Sequence, residues 1–186
     1  MRLVVLGPPR AGKRTQAAKV AADFRVPCVS VGRILRQAAS SSTSLGRLVA
    51  PFCAQGRLAP DEWVIRLVEG ELLGAGCKAG FVLTGFPRTS AQAKALEWML
   101  ERARMTLTAV VALDVPEDEH LDPRLFDDKA HGYAVRVFYR ARGLLRSVDG
   151  TGDPESVYRD LLASLADGVD PDIAPRRAGP RLPFDF

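Results

Sequence analysis

The amino-acid sequence predicts an α/β fold with a five-stranded parallel sheet covered by helices on both faces. Short apolar runs alternate along the chain with segments whose apolar residues recur at helical spacing, which is the order of a parallel sheet with crossover helices. The first apolar run leads directly into a glycine-containing turn and then into a helical pattern. The predicted strands lie near residues 2–6, 26–29, 80–84, 107–113 and 144–148.

The stretch directly after the first strand is the most informative motif. Gly7 and Gly12 have the spacing G-x-x-x-x-G-K, and Lys13 follows Gly12. Backbone N–H groups of such a loop, together with the N-terminus of the helix predicted at 12–24, bind polyphosphate. Lys13 is expected to contact the outer phosphates, and the Thr15 hydroxyl is expected to bind Mg²⁺.

Two arginines distinguish this loop. Arg14 separates Lys13 from Thr15, whereas the usual loop places Ser or Thr directly after Lys. Arg10 occupies a tight turn where glycine is usual, and most other residues are strained at the backbone angles that glycine tolerates. The Arg10 cation either helps to bind a phosphate or occupies the place of one, and the sequence leaves both alternatives open.

The other helices are predicted from apolar periodicity and from start and stop signals. Ser30 is a candidate N-cap, and Pro60 is suited to the first turn of a later helix. The pattern is weak over 118–132, where Pro123 interrupts any helix. Further helical patterns lie near residues 45–56, 60–74, 89–104, 133–142 and 154–165.

A second motif runs from Gly85 to Thr89 and is followed by Gln92. It comes after the third strand and opens a helix, so we expect it at the carboxyl edge of the sheet, where ligands bind in open α/β folds. The planar guanidinium of Arg88 suits a phosphate group. The Gln92 amide, one helical turn on, suits the edge of a base.

Composition favours a globular protein of a reducing intracellular compartment, with the organelle left open. Hydrophobic residues make up 47% and charged residues 26% of the 186 positions, enough for one compact domain. The net charge of +4 comes from scattered basic residues, which does not require a nucleic-acid partner. Cys28, Cys53 and Cys77 lack the spacing of a zinc site or a disulfide framework. We expect no membrane association, because no apolar run approaches spanning length.

The motifs resemble those of the adenylate kinases, within the nucleoside monophosphate kinase family. The resemblance covers residues 1–114 and about 133–165. It implies a P-loop NMP-kinase fold with a small helical NMP-binding insert at about 31–60, and the reaction ATP + AMP ⇌ 2 ADP with Mg²⁺. It also implies an adenylate-kinase-like domain over 1–168 and a Pro/Arg-rich C-terminal tail over 169–186. Besides the two motifs above, it rests on Gly32 with Arg36, on Gly56 to Asp61 and on Leu113 to Pro116.

The resemblance also implies roles for single residues. Lys13 would bind the ATP phosphates, together with the loop residues Gly7, Gly12 and Thr15. Arg36 and Arg88 would hold the AMP phosphate, with Gly85 in the same motif. Gln92 would bind the adenine of AMP, and Arg136 matches the last catalytic arginine. The catalytic residues implied in this way are Lys13, Arg88 and Arg136.

Departures from the family pattern favour a catalytically degenerate protein. Thr84 and Arg33 stand where the family has aspartates that order water around Mg²⁺, and Leu125 stands where it has an arginine. The lid is absent. Since removing one charge-stabilising group commonly costs about 10²–10³ in rate, we predict slow or absent phosphoryl transfer and a role as a structural or docked subunit. The alternative is an active short-lid adenylate kinase; a UMP/CMP kinase fits less well, because the second motif with Gln92 is the adenine-reading form.

The C-terminal tail is the candidate attachment arm of such a subunit. Residues 170–186 carry prolines that prevent extension of the last helix, and arginines that suit an acidic protein surface or nucleic-acid phosphate. Leu182, Phe184 and Phe186 place apolar anchors at alternate positions. The expected partner is a protein or a ribonucleoprotein assembly, and the competing interpretation is a frayed terminus.

Overall fold

The computed structural model describes residues 1–116 and the backbone of 126–166, with side chains in the second range from Gly132 onward. The predictions for Pro123, Leu125 and the tail at 169–186 lie outside the described residues. None of the described helices is long and apolar enough to cross a membrane. In chain order the elements are β1 Arg2–Leu6, α1 Lys13–Asp23, β2 Cys28–Ser30, α2 Val31–Ala39, α3 Ser44–Ala54, α4 Asp61–Leu72, a 3₁₀ turn Ala75–Cys77, β3 Phe81–Thr84, α5 Ser90–Arg102, β4 Ala109–Asp114, α6 Phe126–Arg140, β5 Leu145–Asp149 and α7 Pro154–Ala166.

The strands form one parallel sheet in the order β2-β3-β1-β4-β5, which confirms the predicted fold class. The central strand β1 pairs with β3 on one side and with β4 on the other, for example Val5 opposite Thr84 and Val5 opposite Val111. Because all strands run in the same direction, the loops after β1, β3, β4 and β5 meet at one edge of the sheet. Strand order reverses beside the central strand, and ligands bind outside the carboxyl ends there in open α/β sheets.

Apolar side chains fill both faces of the sheet. On one face, Leu3, Val5 and Val111 pack with Val20 of α1 and Leu161 of α7. On the other face, a larger cluster joins β1, β3 and β4 to α4, α5 and α6, and it includes Leu72, Leu96 and Tyr139. Strands buried on both faces explain why the sequence shows continuous apolar runs rather than alternation.

Two local predictions need correction. Helix α6 begins at Phe126, inside the range 118–132 that the weak pattern assigned to a non-helical segment. The buried residues Val135 and Tyr139 anchor this helix, and such tertiary packing outweighs the low helix propensity of Gly132. Ser30 occupies the N-cap position of α2, but its side chain accepts no capping hydrogen bond. It is also the last residue of β2, paired in register with Thr84.

Candidate functional site

The loop after β1 has the geometry that its glycine spacing predicts. Gly7 and Gly12 have positive φ angles of 149° and 73°, and Gly12 is the N-cap of α1. A Cβ atom on Gly7 would lie 3.0 Å from the Leu113 carbonyl oxygen at the end of β4, so the backbone approaches its neighbour closely. The Lys13 ammonium donates a hydrogen bond across the loop to the Pro8 carbonyl. The loop therefore closes on itself in front of the N-terminus of α1, as a phosphate-binding nest requires.

Arg10 adopts the left-handed backbone conformation that the sequence indicated as strained. Its φ angle is 65°, and its side chain is exposed. For a residue with a Cβ atom this conformation costs roughly 1–2 kcal/mol, a cost that glycine avoids. The strain predicted at this position is confirmed.

A cleft lies beside this loop. Its volume is about 190 Å³, and it is lined by the loop, by the first turn of α1 and by the connection between β5 and α7. The Gly150 N–H donates to the Asp114 carbonyl at 2.7 Å, and a Cβ atom on Gly150 would lie 2.8 Å from the Val115 Cγ1. The lining residues are Arg10, Ala11, Gly12, Thr15, Gln16, Gly150, Gly152, Pro154 and Val157.

The sequence analysis did not connect the segment 149–152, which follows the last predicted strand, with the site. The signal was present, because two glycines and a proline directly follow a predicted strand of the sheet. In a parallel sheet this places them at the same edge as the phosphate-binding loop. The sequence alone did not specify the strand order, which places β5 beside β4.

Polar contacts join the connection between β5 and α7 to helix α1. Gln16 is buried, and its Nε2 donates to the Pro154 carbonyl at 2.9 Å. Lys19 pairs with Glu155 in the first turn of α7. The Tyr158 hydroxyl donates to Asp23, and burial is the main cause that raises the pKa of Tyr158. The two helices thus hold both walls of the cleft at a fixed spacing.

The loop after β3 carries a second group of polar side chains, joined in a network around Asp61 of α4. Gln92 Nε2 donates to Asp61 Oδ1 at 2.6 Å, and Thr89 Oγ1 donates to Asp61 Oδ2 at 2.6 Å. Gln92 Oε1 accepts the Arg88 backbone N–H at 2.8 Å. Thr89 is also the N-cap of α5 and accepts the Gln92 N–H at 3.1 Å. The Gln92 side chain, which is 4% exposed, is therefore held in one orientation.

This network leaves hydrogen-bonding capacity for a ligand. An amide offers two donor hydrogens and two acceptor lone pairs, and the network uses one of each on Gln92. Arg88 is exposed, and its Nε donates to the Gly85 carbonyl at 3.3 Å. Arg36 is exposed on α2 and forms no hydrogen bond to Gln92 or Asp61 in the described part of the chain. The structure thus joins Gly85, Arg88 and Gln92 directly, and does not join Arg36 to them.

Arg136 of α6 lies at the end of β4. Its guanidinium forms an ion pair with Asp114 and lies 3.5 Å from the Leu113 carbonyl. The same carbonyl makes the close approach to Gly7. Arg136 is thereby placed next to the phosphate-binding loop, at the carboxyl edge of the sheet.

Thr84 and Arg33, the residues that differ from the family pattern, do not line the cleft. Thr84 is buried at the end of β3, and Arg33 pairs on the surface with Glu71 at 3.4 Å. Burial raises the pKa of the Cys28 thiol, and the nearby charges of Arg33 and Arg14 partly offset this. Within residues 1–116 and 132–166, no three acidic, histidine or cysteine side chains are grouped as a metal site.

Comparisons with known proteins agree with this geometry. The family model described as adenylate kinase matches residues 5–143, a range that contains both motifs and Arg136. A protein described as adenylate kinase from Leptospira biflexa is 38% identical over 185 residues, covering 88% of this chain and 99% of that protein. One from Caldanaerobacter subterraneus is 44% identical over 212 residues, covering 89% and 96%. One from Archaeoglobus fulgidus is 35% identical, covering 89% and 98%.

Proposed function

This chain belongs to the adenylate kinase family, and we propose that it is an active, short-lid adenylate kinase that transfers a phosphoryl group from ATP to AMP with Mg²⁺. The observation that carries the proposal is the pair of polar half-sites at one edge of the sheet. One half-site is a phosphate-binding loop with an adjoining cleft, and the other is a network of side chains around Asp61.

The phosphate-binding loop and the cleft suit the donor nucleotide. The backbone N–H groups from Gly7 to Thr15 and the N-terminus of α1 offer donors and a positive dipole to the phosphates. Lys13 would exchange its bond to the Pro8 carbonyl for a phosphate oxygen. The cleft beside Gly150 and Val157 has room for the base, and Thr15 is exposed where a metal bound to the phosphates could accept its hydroxyl oxygen as a ligand.

The side chains around Asp61 suit the acceptor nucleotide. Arg88 would contact the AMP phosphate through its guanidinium, and the remaining donor and acceptor of the Gln92 amide would bind the adenine edge. Arg36 would reach the same phosphate from the surface of α2. An amide held in one orientation distinguishes adenine from a base whose donor and acceptor are exchanged.

The chemical step needs positioning and charge stabilisation more than proton transfer. An oxygen of the AMP phosphate attacks the γ-phosphorus of ATP, the bond from that phosphorus to the β,γ-bridging oxygen breaks, and ADP leaves with the bonding electrons. The charge on the transferred group is met by cations and by Mg²⁺. Lys13 and Arg136 lie on the donor side of this path and Arg88 on the acceptor side.

We prefer the active enzyme to the degenerate protein that Thr84, Arg33 and Leu125 favour on sequence alone. The relatives above are all described as adenylate kinase and are 35–44% identical over most of both chains. The loop with Lys13, the motif with Arg88 and Gln92, and Arg136 all lie at the carboxyl edge of the sheet. Of the replaced positions, Thr84 is buried at the end of β3 and Arg33 forms a surface ion pair with Glu71.

The test is ADP formation from ATP and AMP with Mg²⁺, measured by a coupled assay beside a binding titration of each nucleotide. A kcat within about 1–10³ s⁻¹ supports the active enzyme. Nucleotide binding without turnover would instead support the degenerate protein, and restoring carboxylates with the double variant Arg33→Asp/Thr84→Asp would then raise any residual rate. Replacement of AMP by UMP, whose base exchanges the donor and the acceptor of the adenine edge, should lower the rate strongly.

A further inference from the structure

We infer that Arg10 is an additional catalytic residue, which contacts the phosphate groups of the donor nucleotide and stabilises the charge of the transfer step. The inference rests on the proposed function and extends it to Arg10, which occupies a variable position of the G-x-x-x-x-G-K spacing. Three observations carry it: the backbone conformation of Arg10, its place in the cleft and its charge surroundings.

The backbone conformation belongs to a tight turn, in which the Ala11 N–H donates to the Pro8 carbonyl at 3.3 Å and Arg10 is the second central residue, a position where glycine is usual. Arg25 and Arg104 also have positive φ angles, of 53° and 55°, but each follows the end of a helix, where a left-handed residue is common. Arg10 follows Pro8 and Pro9 in a loop, with no helix before it. Glycine would adopt its φ angle of 65° without strain. Strain of this kind clusters at functional sites, where the side chain that causes it has a use.

Arg10 also lies where a phosphate chain would pass. It lines the cleft together with Gly12 and Thr15, at the positive end of α1. Its guanidinium offers several donors in one plane, which match two oxygens of a phosphate at once. A lysine at this position would offer a point charge instead.

The charge surroundings of Arg10 are positive. Arg10, Lys13 and Arg14 place three cations within five residues, next to the positive end of a helix dipole. In the described chain, Arg33 and Arg136 have carboxylate partners, whereas Arg10 has none. Like charges at this spacing repel each other. A polyphosphate with three or four negative charges removes that repulsion when it binds.

The experiment compares Arg10→Gly and Arg10→Lys with the wild type, and uses Arg25→Gly and Arg104→Gly as matched controls. Each glycine variant removes one exposed arginine from a left-handed position, so all three should raise the melting temperature. Arg10→Gly should lower kcat by about 10²–10³-fold, with the KM for AMP unchanged. The two control variants should keep the wild-type kcat, and Arg10→Lys should recover only part of it.

Two results would overturn the inference. One is a kcat of Arg10→Gly within twofold of the wild type. The other is tighter binding of Mg²⁺-ATP by Arg10→Gly, because it would mean that the Arg10 side chain occupies the place of a phosphate in the empty loop. A gain in melting temperature for Arg10→Gly combined with a loss of rate would exclude misfolding as the cause.

Calorimetric titration with inorganic tripolyphosphate separates this inference from the proposed function. If the wild type shows no turnover, the proposed function fails. The inference that Arg10 contacts phosphate is then tested by tripolyphosphate binding alone. Weaker tripolyphosphate binding by Arg10→Gly than by Arg25→Gly, with equal AMP binding, would support phosphate contact by Arg10. Equal tripolyphosphate binding by the two variants would refute it.

Discussion

The two half-sites at the edge of the sheet are built differently. On the acceptor side, the side chains of Gln92, Thr89 and Asp61 are hydrogen-bonded to each other before any ligand binds. On the donor side, the loop is shaped by backbone angles and close approaches, and its cation Arg10 has no carboxylate partner in the described residues. One half-site is a rigid network of side chains, and the other is a backbone nest surrounded by positive charge.

This difference follows from what each side must recognise. A base edge is distinguished by donors and acceptors in fixed places, so an amide that is held in place by a carboxylate is useful. A phosphate chain is recognised mainly by its charge, which backbone N–H groups and cations meet without a unique arrangement. We therefore expect substitutions on the donor side to change catalysis, and substitutions on the acceptor side to change both stability and AMP affinity.

The largest effect is expected from Lys13→Met. It removes the cation nearest the transferred phosphoryl group without a large change in volume, so kcat should fall by about 10²–10³-fold. The melting temperature should change little. Lys78→Met is the matched control, because Lys78 is exposed just before β3, at the opposite edge of the sheet. A loss of stability equal to that of an acceptor-side variant would contradict the division between the half-sites.

Asp61→Ala tests the acceptor side. Gln92 Nε2 and Thr89 Oγ1 would lose their acceptor, and an unsatisfied buried donor costs about 1–3 kcal/mol. We expect a lower free energy of unfolding and an increase of about tenfold in the KM for AMP, with the KM for ATP unchanged. These values are measured by denaturant unfolding and by initial rates at varied AMP and ATP.

Glu62→Ala is the matched control for Asp61→Ala. Glu62 lies in the same first turn of α4, so both variants remove the same favourable charge from the helix N-terminus. Its ion pair with Arg66, at 3.3 Å, is exposed on both sides and contributes little. Equal effects of the two variants would mean that the helix dipole, and not the Gln92 network, explains the role of Asp61.

The sequence predicted most of the strands and local backbone angles, and fewer of the contacts between segments that are distant along the chain. The strands and the angles at Gly12 and Arg10 follow from local patterns, because glycine spacing and apolar runs act on neighbouring residues. The bond between Asp61 and Gln92 links positions 31 residues apart, and Gln16 reaches Pro154 across 138 residues. Such contacts depend on strand order and helix packing, which a single sequence does not specify. The start of α6 was missed for the same reason, since its anchors Val135 and Tyr139 act through tertiary packing.

A smaller effect is expected from Gln16→Leu on the donor side. It removes the hydrogen bond between Nε2 and the Pro154 carbonyl, while the buried Oε1 has no hydrogen-bond partner among the described residues. The lost bond contributes about 1 kcal/mol, and Leu has a similar size. We expect an increase of a few-fold in the KM for ATP and no change in the KM for AMP. The control is Glu155→Ala, which breaks the exposed pair with Lys19 and should leave the KM for ATP and the KM for AMP unchanged. An altered KM for AMP in Gln16→Leu would show that the two half-sites are coupled.

The smallest effect concerns acid pH and the wall of the donor cleft. The Asp153 carboxylate accepts the N–H groups of Ser156 at 3.1 Å and Glu155 at 2.9 Å, and the bond from Ser156 is the main cause that lowers its pKa. The Thr151 N–H lowers the pKa of Asp149 in the same way. Such a carboxyl group has a lower pKa in the folded state than in the unfolded state, where it is about 3.9. It therefore stabilises the folded protein above the unfolded pKa, and this stability is lost as the pH falls through the folded pKa. The melting temperature should therefore decline below about pH 4, and the decline should be shallower in Asp153→Asn, because asparagine keeps a capping acceptor that does not titrate. Thermal unfolding of both proteins between pH 7 and pH 3 provides the comparison, and parallel curves would mean that the acid sensitivity arises outside the donor cleft.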